Sequence, residues 1–482
     1  MVNFRVITRM IGIVLIAEGF FMLLSAALSF ILKESAATPL LFSSIITLVS
    51  GILVFSPLRY EEKLSAYKEG YIITVGIWLS LSLFGTLPWL LSGSIKSFTD
   101  AFFESMSGFT TTGATVLTDP GALPKGLVLW RSLSQWIGGI GFILISLSVL
   151  PVVKAVNIQL TINDFTAQAS GRIHPRTGET FKMLISVYVI LTLAETVMLI
   201  AGGMNILDAF CISLSTLSTG GFSPLRDSLA GIGSPYILIV ITIFMFLAGT
   251  NLSLVYFGYR RNFGKIRSSN EFRFYGILCL VFILAMFLAL WAKNIYPAGR
   301  SLIQGAFQAV STITTTGFYN SDYNLWGGFL TLVIFILMFT GGTSGSASGS
   351  LKIIRILLAG KNTRHEMKRL IHPDAVIPVR FDEKVVSRDL IYNLLVFIIL
   401  YLVVICISAF VVSFMGYDLI TAFSTSAAML GNIGPAPGAF GPGSTYSALP
   451  AAGKWFFSFI MLLGRLEILS VLVLFTGNFY RR

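Results

Sequence analysis

Long apolar runs separated by short polar connections dominate the chain. Runs such as Ile11–Leu32, Tyr71–Leu91, Leu127–Val152, Phe274–Ala292 and Leu390–Phe414 are each near the ~20 residues that a helix needs to cross a hydrocarbon core of ~30 Å. The pattern predicts a first span followed by nine more. The first run lacks the small-residue cleavage pattern of a signal peptide, so it is interpreted as a retained span. The chain is therefore predicted to be an all-α integral membrane protein.

From Tyr71 onward, one unit recurs four times: a span, a short apolar helix, a polar tip that contains glycine, and a second span. When the tips are aligned on their glycines, a small residue stands twelve positions earlier every time; the pairs are Ala101 and Gly113, Ala209 and Gly221, Gly305 and Gly317, and Ala422 and Gly434. The short helices are too short to cross a membrane, so we expect half-helices that enter it and return. Asp100 and Asp208 are expected to be the N-caps of the first two.

The predicted organisation is an accessory N-terminal helix pair and four span–pore-helix–span repeats around a pseudo-fourfold pore. The predicted bounds are 1–58 for the helix pair, 70–153, 178–262 and 272–359 for the first three repeats, the third with a broken second span, and 386–482 for the fourth. Each repeat contains two full spans, so all four share one orientation and can surround an axis. An inverted-repeat transporter would need an odd number of spans in each repeat.

The tips contain no carboxylate. An ion at the ring would be dehydrated by neutral carbonyl and hydroxyl oxygens, whereas Ca²⁺ sites usually recruit carboxylates. Each half-helix would also direct its partly negative C-terminal end towards the centre, which favours a cation. Potassium is the candidate that this ligand set favours.

Two features lie at the depth expected below the tips. The stretch Gly341–Ser350 holds four Gly and four Ser in ten residues and cannot form a good helix, so we expect it to obstruct the pore when closed. The alternative is a packing face of small residues. Arg465 is expected about midway through the hydrocarbon, where it should face protein or water and repel entering cations. The alternative is a structural, hydrogen-bonding arginine.

Composition agrees with a membrane protein. The chain is 55% hydrophobic and 12% charged, with a mean hydropathy of +0.82. The net charge of +12 is interpreted as basic cytoplasmic connections rather than nucleic-acid binding, which places both termini in the cytoplasm. Cys211, Cys279 and Cys406 lie in apolar segments, so neither disulfides nor a thiolate metal site is expected. No nucleophile–base arrangement predicts an enzyme, and no Gly-rich motif predicts an organic cofactor.

The residues resemble the Trk/Ktr potassium-uptake family, in particular its TrkH branch, which carries an extra N-terminal helix pair. The resemblance rests on Thr-Thr-Thr-Gly at 110–113 and 314–317, Trp130-Arg131, Trp136–Gly141, the broken span continuing into Lys352, Asn432–Pro435, and Gly464–Glu467. It implies a gated potassium pore, also permeable to rubidium, in a homodimer of the bacterial inner membrane, surrounded by lipids. It further implies a cytosolic, nucleotide-binding TrkA-type ring as a partner.

The resemblance also implies roles for particular residues. The potassium filter would be formed by Thr111, Thr112, Gly113, Thr219, Gly220, Gly221, Thr315, Thr316, Gly317, Asn432, Ile433 and Gly434. The gate would be formed by Gly341, Gly342, Thr343, Ser344, Gly345, Ser346, Ala347, Ser348, Gly349 and Ser350 together with Arg465. Sequence leaves open a sodium- or proton-coupled potassium symporter. Few acidic residues lie within the spans, which weakens the case for proton coupling. One of them is Glu18, for which a structural hydrogen bond is favoured over ion binding.

Overall fold

A computed structural model describes residues 4–55, 67–149, 177–374, 377–382 and 384–480. It begins with a helical hairpin of α1 (Phe4–Ile31) and α2 (Ala37–Phe55). The two helices approach closely because a side chain at Gly12 would meet the backbone of Gly51. Small residues at such contacts let helix backbones approach in a membrane. The hairpin packs on the first repeat, through α3 and α6 defined below.

Each of the four repeats has a first span, a half-helix and a second span. Repeat 1 contains α3 (Tyr67–Phe84), α4 (Leu87–Leu91), α5 (Phe98–Phe109) and α6 (Lys125–Val149). Repeat 2 contains α7 (Thr177–Ala201), α8 (Ile206–Leu217), α9 (Pro235–Ala248) and α10 (Leu252–Tyr259), followed by the short α11 (Phe263–Ser268). Repeat 3 contains α12 (Asn270–Ala292), α13 (Ala298–Ile313), α14 (Gly328–Leu337) and α15 (Ile353–Ile371).

A two-stranded antiparallel ribbon, β1 (Arg380–Phe381) and β2 (Lys384–Val385), precedes the last repeat. Repeat 4 contains α16 (Arg388–Phe414), α17 (Leu419–Leu430), α18 (Ala451–Arg465) and α19 (Ile468–Leu472), and α20 (Gly477–Tyr480) comes after it. Short 3₁₀ turns lie at Pro120–Ala122, Tyr323–Trp326, Tyr446–Ala448 and Val473–Phe475.

Six helices among the described residues are long and apolar enough to cross a membrane, and two bent helix pairs bring the number to eight. Of the ten predicted spans, the other two correspond to α6, which is 25 residues long, and to α14 with α15. The predicted all-α membrane fold is confirmed. The predicted ends at 58, 153 and 482 lie outside the described residues, and the domain bounds stay predictions.

The structure breaks more spans than the sequence analysis expected. The break between α14 and α15 is the predicted one. The chain also turns by 111° between α9 and α10 and by 116° between α18 and the helical segment Ile468–Phe475. Arg465 is therefore the last residue of a helix and not part of a continuous span. Tyr71–Leu91 is likewise interrupted, between α3 and α4.

One smaller expectation is wrong. Ser97 and Asn205, not Asp100 and Asp208, cap the first two half-helices, because their side chains accept from the backbone of the first turn. The aspartates lie inside that first turn instead, where a negative charge also complements the helix dipole. Glu18 is fully buried, and neither of its carboxylate oxygens has a hydrogen-bond partner among the described residues, so the expected structural hydrogen bond is not found there.

Candidate functional site

The four tips share one backbone conformation. Each has a non-glycine residue at φ near +55° two positions before a glycine that is also at positive φ; the pairs are Thr111 and Gly113, Thr219 and Gly221, Thr315 and Gly317, and Asn432 and Gly434. Asn tolerates this region better than most residues, but a β-branched residue such as Thr is a genuine outlier there. Three threonines in this conformation, with an asparagine at the equivalent position of the fourth repeat, indicate that the surrounding structure enforces it.

Local hydrogen bonds explain how each half-helix ends in this conformation. At the end of α5, the Thr111 N–H donates to Gly108 O and the Thr112 N–H donates to Ser107 O, both at 2.9 Å. This is the pattern of a Schellman cap, in which a left-handed residue satisfies the last helical carbonyls. The same two bonds recur at the other three tips. The left-handed threonine or asparagine is therefore the C′ residue of its half-helix.

The tips close into a ring in the order of the repeats. A side chain added at Gly113 would strike the carbonyl oxygen of Gly220 in the next tip. The equivalent obstacles are Thr316 O for Gly221, Ile433 O for Gly317, and Thr112 O for Gly434. Each glycine is thus required twice, once for its positive φ and once because the neighbouring tip leaves no room for a Cβ atom. All twelve predicted filter residues lie in this ring.

Outside the ring is a cavity of about 50 Å³ to which all four repeats contribute. Its walls include Gly113, Gly221, Gly317 and Pro435. Tyr319 also lines it, and its hydroxyl accepts a hydrogen bond from the Gly443 N–H at 3.0 Å. Partial burial raises the pKa of Tyr319, so its hydroxyl is neutral in the physiological range.

Behind the first two tips lies a buried ion pair. Arg131 Nε donates to Glu104 Oε1 at 2.8 Å, and Arg131 Nη1 donates to Ser223 O at 3.0 Å. Glu104 also accepts from the Val116 N–H and the Thr115 hydroxyl. Such a network, with its charges paired and hydrogen-bonded, can be kept in a low-dielectric interior. It joins α5 and α6 of repeat 1 to the segment immediately after tip 2, where each tip takes the number of its repeat.

The segment from Gly341 to Ser350 lies directly against the ring and is not helical. The Gly349 N–H donates to Thr315 Oγ1 at 2.7 Å, and a Cβ atom added at Gly349 would collide with Gly431 O. The rest of the loop is tied to surrounding spans: the Thr343 N–H donates to Gly249 O at 2.9 Å, and the Ser344 N–H donates to Glu271 Oε1 at 2.6 Å. Non-helical backbone at membrane depth is kept where protein satisfies it in this way.

Two cationic side chains hold the carbonyls in the middle of this loop. Arg465 is 2% exposed; its Nη1 donates to Ala347 O at 2.7 Å and its Nη2 to Gly138 O at 3.0 Å. Arg465 therefore reaches from repeat 4 to a carbonyl of the loop in repeat 3. Lys352 Nζ donates to Ser346 O at 3.3 Å and to Ser348 O. Glu467 does not pair with Arg465 and instead forms an ion pair with Arg355 at 2.9 Å.

Several residues that the structure places here carry no role predicted from the sequence. Glu104, Gln135, Glu271 and Lys352 all contact a tip, the segment after it, or the loop. Their signal in the sequence is a charged or amide side chain within an otherwise apolar stretch, which is costly in a membrane unless it has partners.

The cation transport protein family TrkH matches residues 42–481. The chain belongs to the TrkH family. It is 34% identical to the Trk system potassium uptake protein TrkH of Salmonella typhimurium, covering 99% of this chain and 100% of that one. It is also 34% identical to the protein of the same description from Halomonas elongata, covering all of both chains. The crystal structure of the potassium transporter TrkH from Vibrio parahaemolyticus matches with a TM-score of 0.90 and 32% identity, over 99% of this chain and 100% of that one.

Family membership supports the resemblance on which the sequence analysis relied. It also supports a transport protein over an enzyme, because the family is described as one of cation transport proteins. The structural match extends over 99% of the chain, so it takes in the N-terminal hairpin and all four repeats.

Proposed function

We propose that this chain is a potassium uptake pore of the bacterial inner membrane, in which the ring of tips is the selectivity filter. The observation that carries the proposal is the closure of four equivalent tips, each with the same pair of positive φ values, into a ring. Backbone and hydroxyl oxygens replace the hydration shell of an ion in such filters. The relatives named as potassium uptake proteins support potassium as the ion.

We propose that Gly341–Ser350 and Arg465 form the gate. The loop lies against tips 3 and 4, and Arg465 holds its central carbonyl at Ala347. A buried guanidinium beside an ion path repels cations electrostatically. Displacement of the loop and of Arg465 would then open the path.

We also propose that the chain forms a homodimer and works with a cytosolic TrkA-type nucleotide-binding ring. Both termini are proposed to lie on the cytoplasmic side of the membrane. The basic helix α15 supports such an orientation, since Arg364, Lys368 and Arg369 lie close together on it. Static light scattering of the purified protein in detergent measures the subunit number, and a twofold mass is expected.

The test of the proposal is flux in proteoliposomes. Potassium and rubidium uptake are expected to exceed sodium and lithium uptake at equal concentration and driving force. Equal uptake of all four ions would overturn the filter assignment.

A coupled symporter is a second candidate because two carboxylic acids are buried in spans. Glu18 and Glu195 are both fully buried, and Glu18 has no hydrogen bond to its carboxylate among the described residues. Intramembrane carboxylates often mark proton pathways. Reversal potentials measured under imposed proton and sodium gradients decide the question: a pore follows the potassium gradient alone, and a symporter shifts with the coupled ion.

A further inference from the structure

The second tip differs from the other three at one position. The residue just before the aligned glycine is Thr112, Thr316 or Ile433 in repeats 1, 3 and 4, and each of these side chains is at most 2% exposed. In repeat 2 the same position is Gly220. Gly220 does not have a positive φ, so the backbone itself does not require glycine there.

The place of the missing side chain is taken by Gln135 of α6. A Cβ atom added at Gly220 would collide with the side-chain amide of Gln135. Gln135 is fully buried, and both ends of its amide are bonded to tip 2. Its Nε2 donates to Gly220 O at 2.6 Å, and its Oε1 accepts from the Phe222 N–H at 3.0 Å.

These two bonds fix consecutive peptide groups on either side of Gly221. The N–H and C=O of a trans peptide point in opposite directions. Because the Phe222 N–H points towards Gln135, the Gly221 carbonyl points away from α6. Gly221 lines the outer cavity, so the orientation of this carbonyl matters at the ion path. Two successive glycines are otherwise the least constrained backbone of any tip.

We infer that Gln135 is a positioning residue for ion selectivity, which replaces the side chain absent at Gly220 and holds the second tip in the conformation of the other three. This inference rests on the proposed filter function of the ring. Gln135 acts through the backbone of tip 2 and does not itself contact the ion.

The test measures the potassium-over-sodium permeability ratio in proteoliposomes, alongside total potassium flux. Gln135→Met keeps the length of the side chain and loses both hydrogen bonds. We expect the ratio to fall by about tenfold or more, with a smaller change in potassium flux, because two buried hydrogen bonds are lost. The ratio of Gln135→Glu is expected to lie between those of Gln135→Met and the wild type, since a carboxylate accepts from the Phe222 N–H but cannot donate to Gly220 O. Ser132→Ala, a buried polar substitution on the same helix, serves as the control and should keep the wild-type ratio.

A double substitution tests the packing account. Gly220→Ala alone should lower the ratio because its methyl group meets the Gln135 amide. Gly220→Ala combined with Gln135→Ala should recover part of that loss, since the methyl group enters the space that Gln135 vacates. If the fold-loss in the ratio of the double variant equals the product of the fold-losses of the two single variants, the inference is overturned. A wild-type ratio in folded Gln135→Met would also overturn it. If Gln135→Met elutes as an aggregate, Gln135→Asn, which is one methylene too short for both bonds, decides the same question.

Gly113→Ala separates this inference from the proposed function. A wild-type ratio in Gly113→Ala would overturn the filter itself. A reduced ratio in Gly113→Ala together with an unchanged ratio in the Gln135 variants would overturn only the role of Gln135.

Discussion

Replacing Arg465 by alanine is the most direct test of the gate. The guanidinium makes one hydrogen bond to the loop, from Nη1 to Ala347 O at 2.7 Å, and one to α6, from Nη2 to Gly138 O at 3.0 Å. It also lies 4.5 Å from the centre of the Phe142 ring on α6. Among the hydrogen bonds of the described residues, the one to Ala347 joins this arginine to the loop, so that bond sets the size of the effect on the loop.

A hydrogen bond to a charged group contributes about 1.5–3 kcal/mol. Since about 1.4 kcal/mol corresponds to a tenfold change in an equilibrium, the loop in Arg465→Ala should leave its place about 10- to 150-fold more often. Resting potassium flux should rise accordingly. The potassium-over-sodium ratio should stay near the wild-type value, because Arg465 bonds to the loop and to α6, not to the tips.

The assay is resting potassium uptake in proteoliposomes, with size-exclusion elution as the check on folding. Arg465→Lys separates two causes: it keeps the positive charge, but an ammonium group lacks the planar fork that reaches both carbonyls. Low flux in Arg465→Lys would assign the block to charge, and high flux would assign it to the hydrogen bond. A well-folded Arg465→Ala protein with unchanged or lower flux would refute the gate and leave a structural arginine.

Substitutions in the tips, in the loop and at a half-helix cap test the rest of the site. Glycine-to-serine substitution in any tip should lower the potassium-over-sodium ratio in liposomes before it prevents expression, because each added side chain meets the next tip; the positions are Gly113, Gly221, Gly317 and Gly434. Wild-type ratios in all four would contradict the ring. Deletion of residues 344–348 should raise resting flux, and unchanged flux in folded protein would argue against a gating loop. Asp418→Ala should destabilise the protein by about 1 kcal/mol in thermal unfolding at neutral pH, because it removes the N-cap of α17. The Thr421 hydrogen bond lowers the pKa of Asp418, so this contribution is present above the ordinary carboxyl range and lost as pH falls through the lowered pKa; a difference independent of pH would count against it.

The sequence predicted the features that local composition determines. The aligned glycines revealed the tips because backbone at positive φ needs them, and the Gly- and Ser-rich stretch from Gly341 to Ser350 revealed the loop because it disfavours a helix. The left-handed conformation of Thr111 and its equivalents was not predictable in this way. A β-branched residue disfavours that conformation locally, and only the surrounding ring imposes it.

The scaffold behind the tips was also beyond sequence reasoning. Gln135 lies 85 positions from the Gly220 carbonyl that it holds, and Arg131 lies 92 positions from Ser223. Spacing along the chain does not show which face of a span meets which tip. The breaks at 249–251 and 466–467 were missed for a related reason, since their stability comes from tertiary hydrogen bonds such as that from Asn251 Nδ2 to Ser344 O.

The ring is fourfold in its backbone but not in the contacts that support it, and this asymmetry leads to a last prediction. Tip 2 is held by Gln135 and has no hydrogen bond to the loop among those found in the described residues, whereas tip 3 accepts the loop's Gly349 N–H at Thr315 Oγ1. Tip 4 lies so close to the same glycine that an added Cβ atom would collide with Gly431 O. The proposed gate therefore contacts the ring at tips 3 and 4.

Thr315→Val keeps the β-branched shape and removes the acceptor of Gly349. We expect it to raise resting flux and to lower the potassium-over-sodium ratio together, because one hydroxyl belongs to both the filter and the loop contact. Gln135 variants should lower the ratio with much less effect on resting flux. Resting potassium flux and the potassium-over-sodium ratio are measured for Thr315→Val and for the Gln135 variants. If Thr315→Val lowers the ratio and leaves resting flux unchanged, the filter does not hold the loop, and filter and loop act independently.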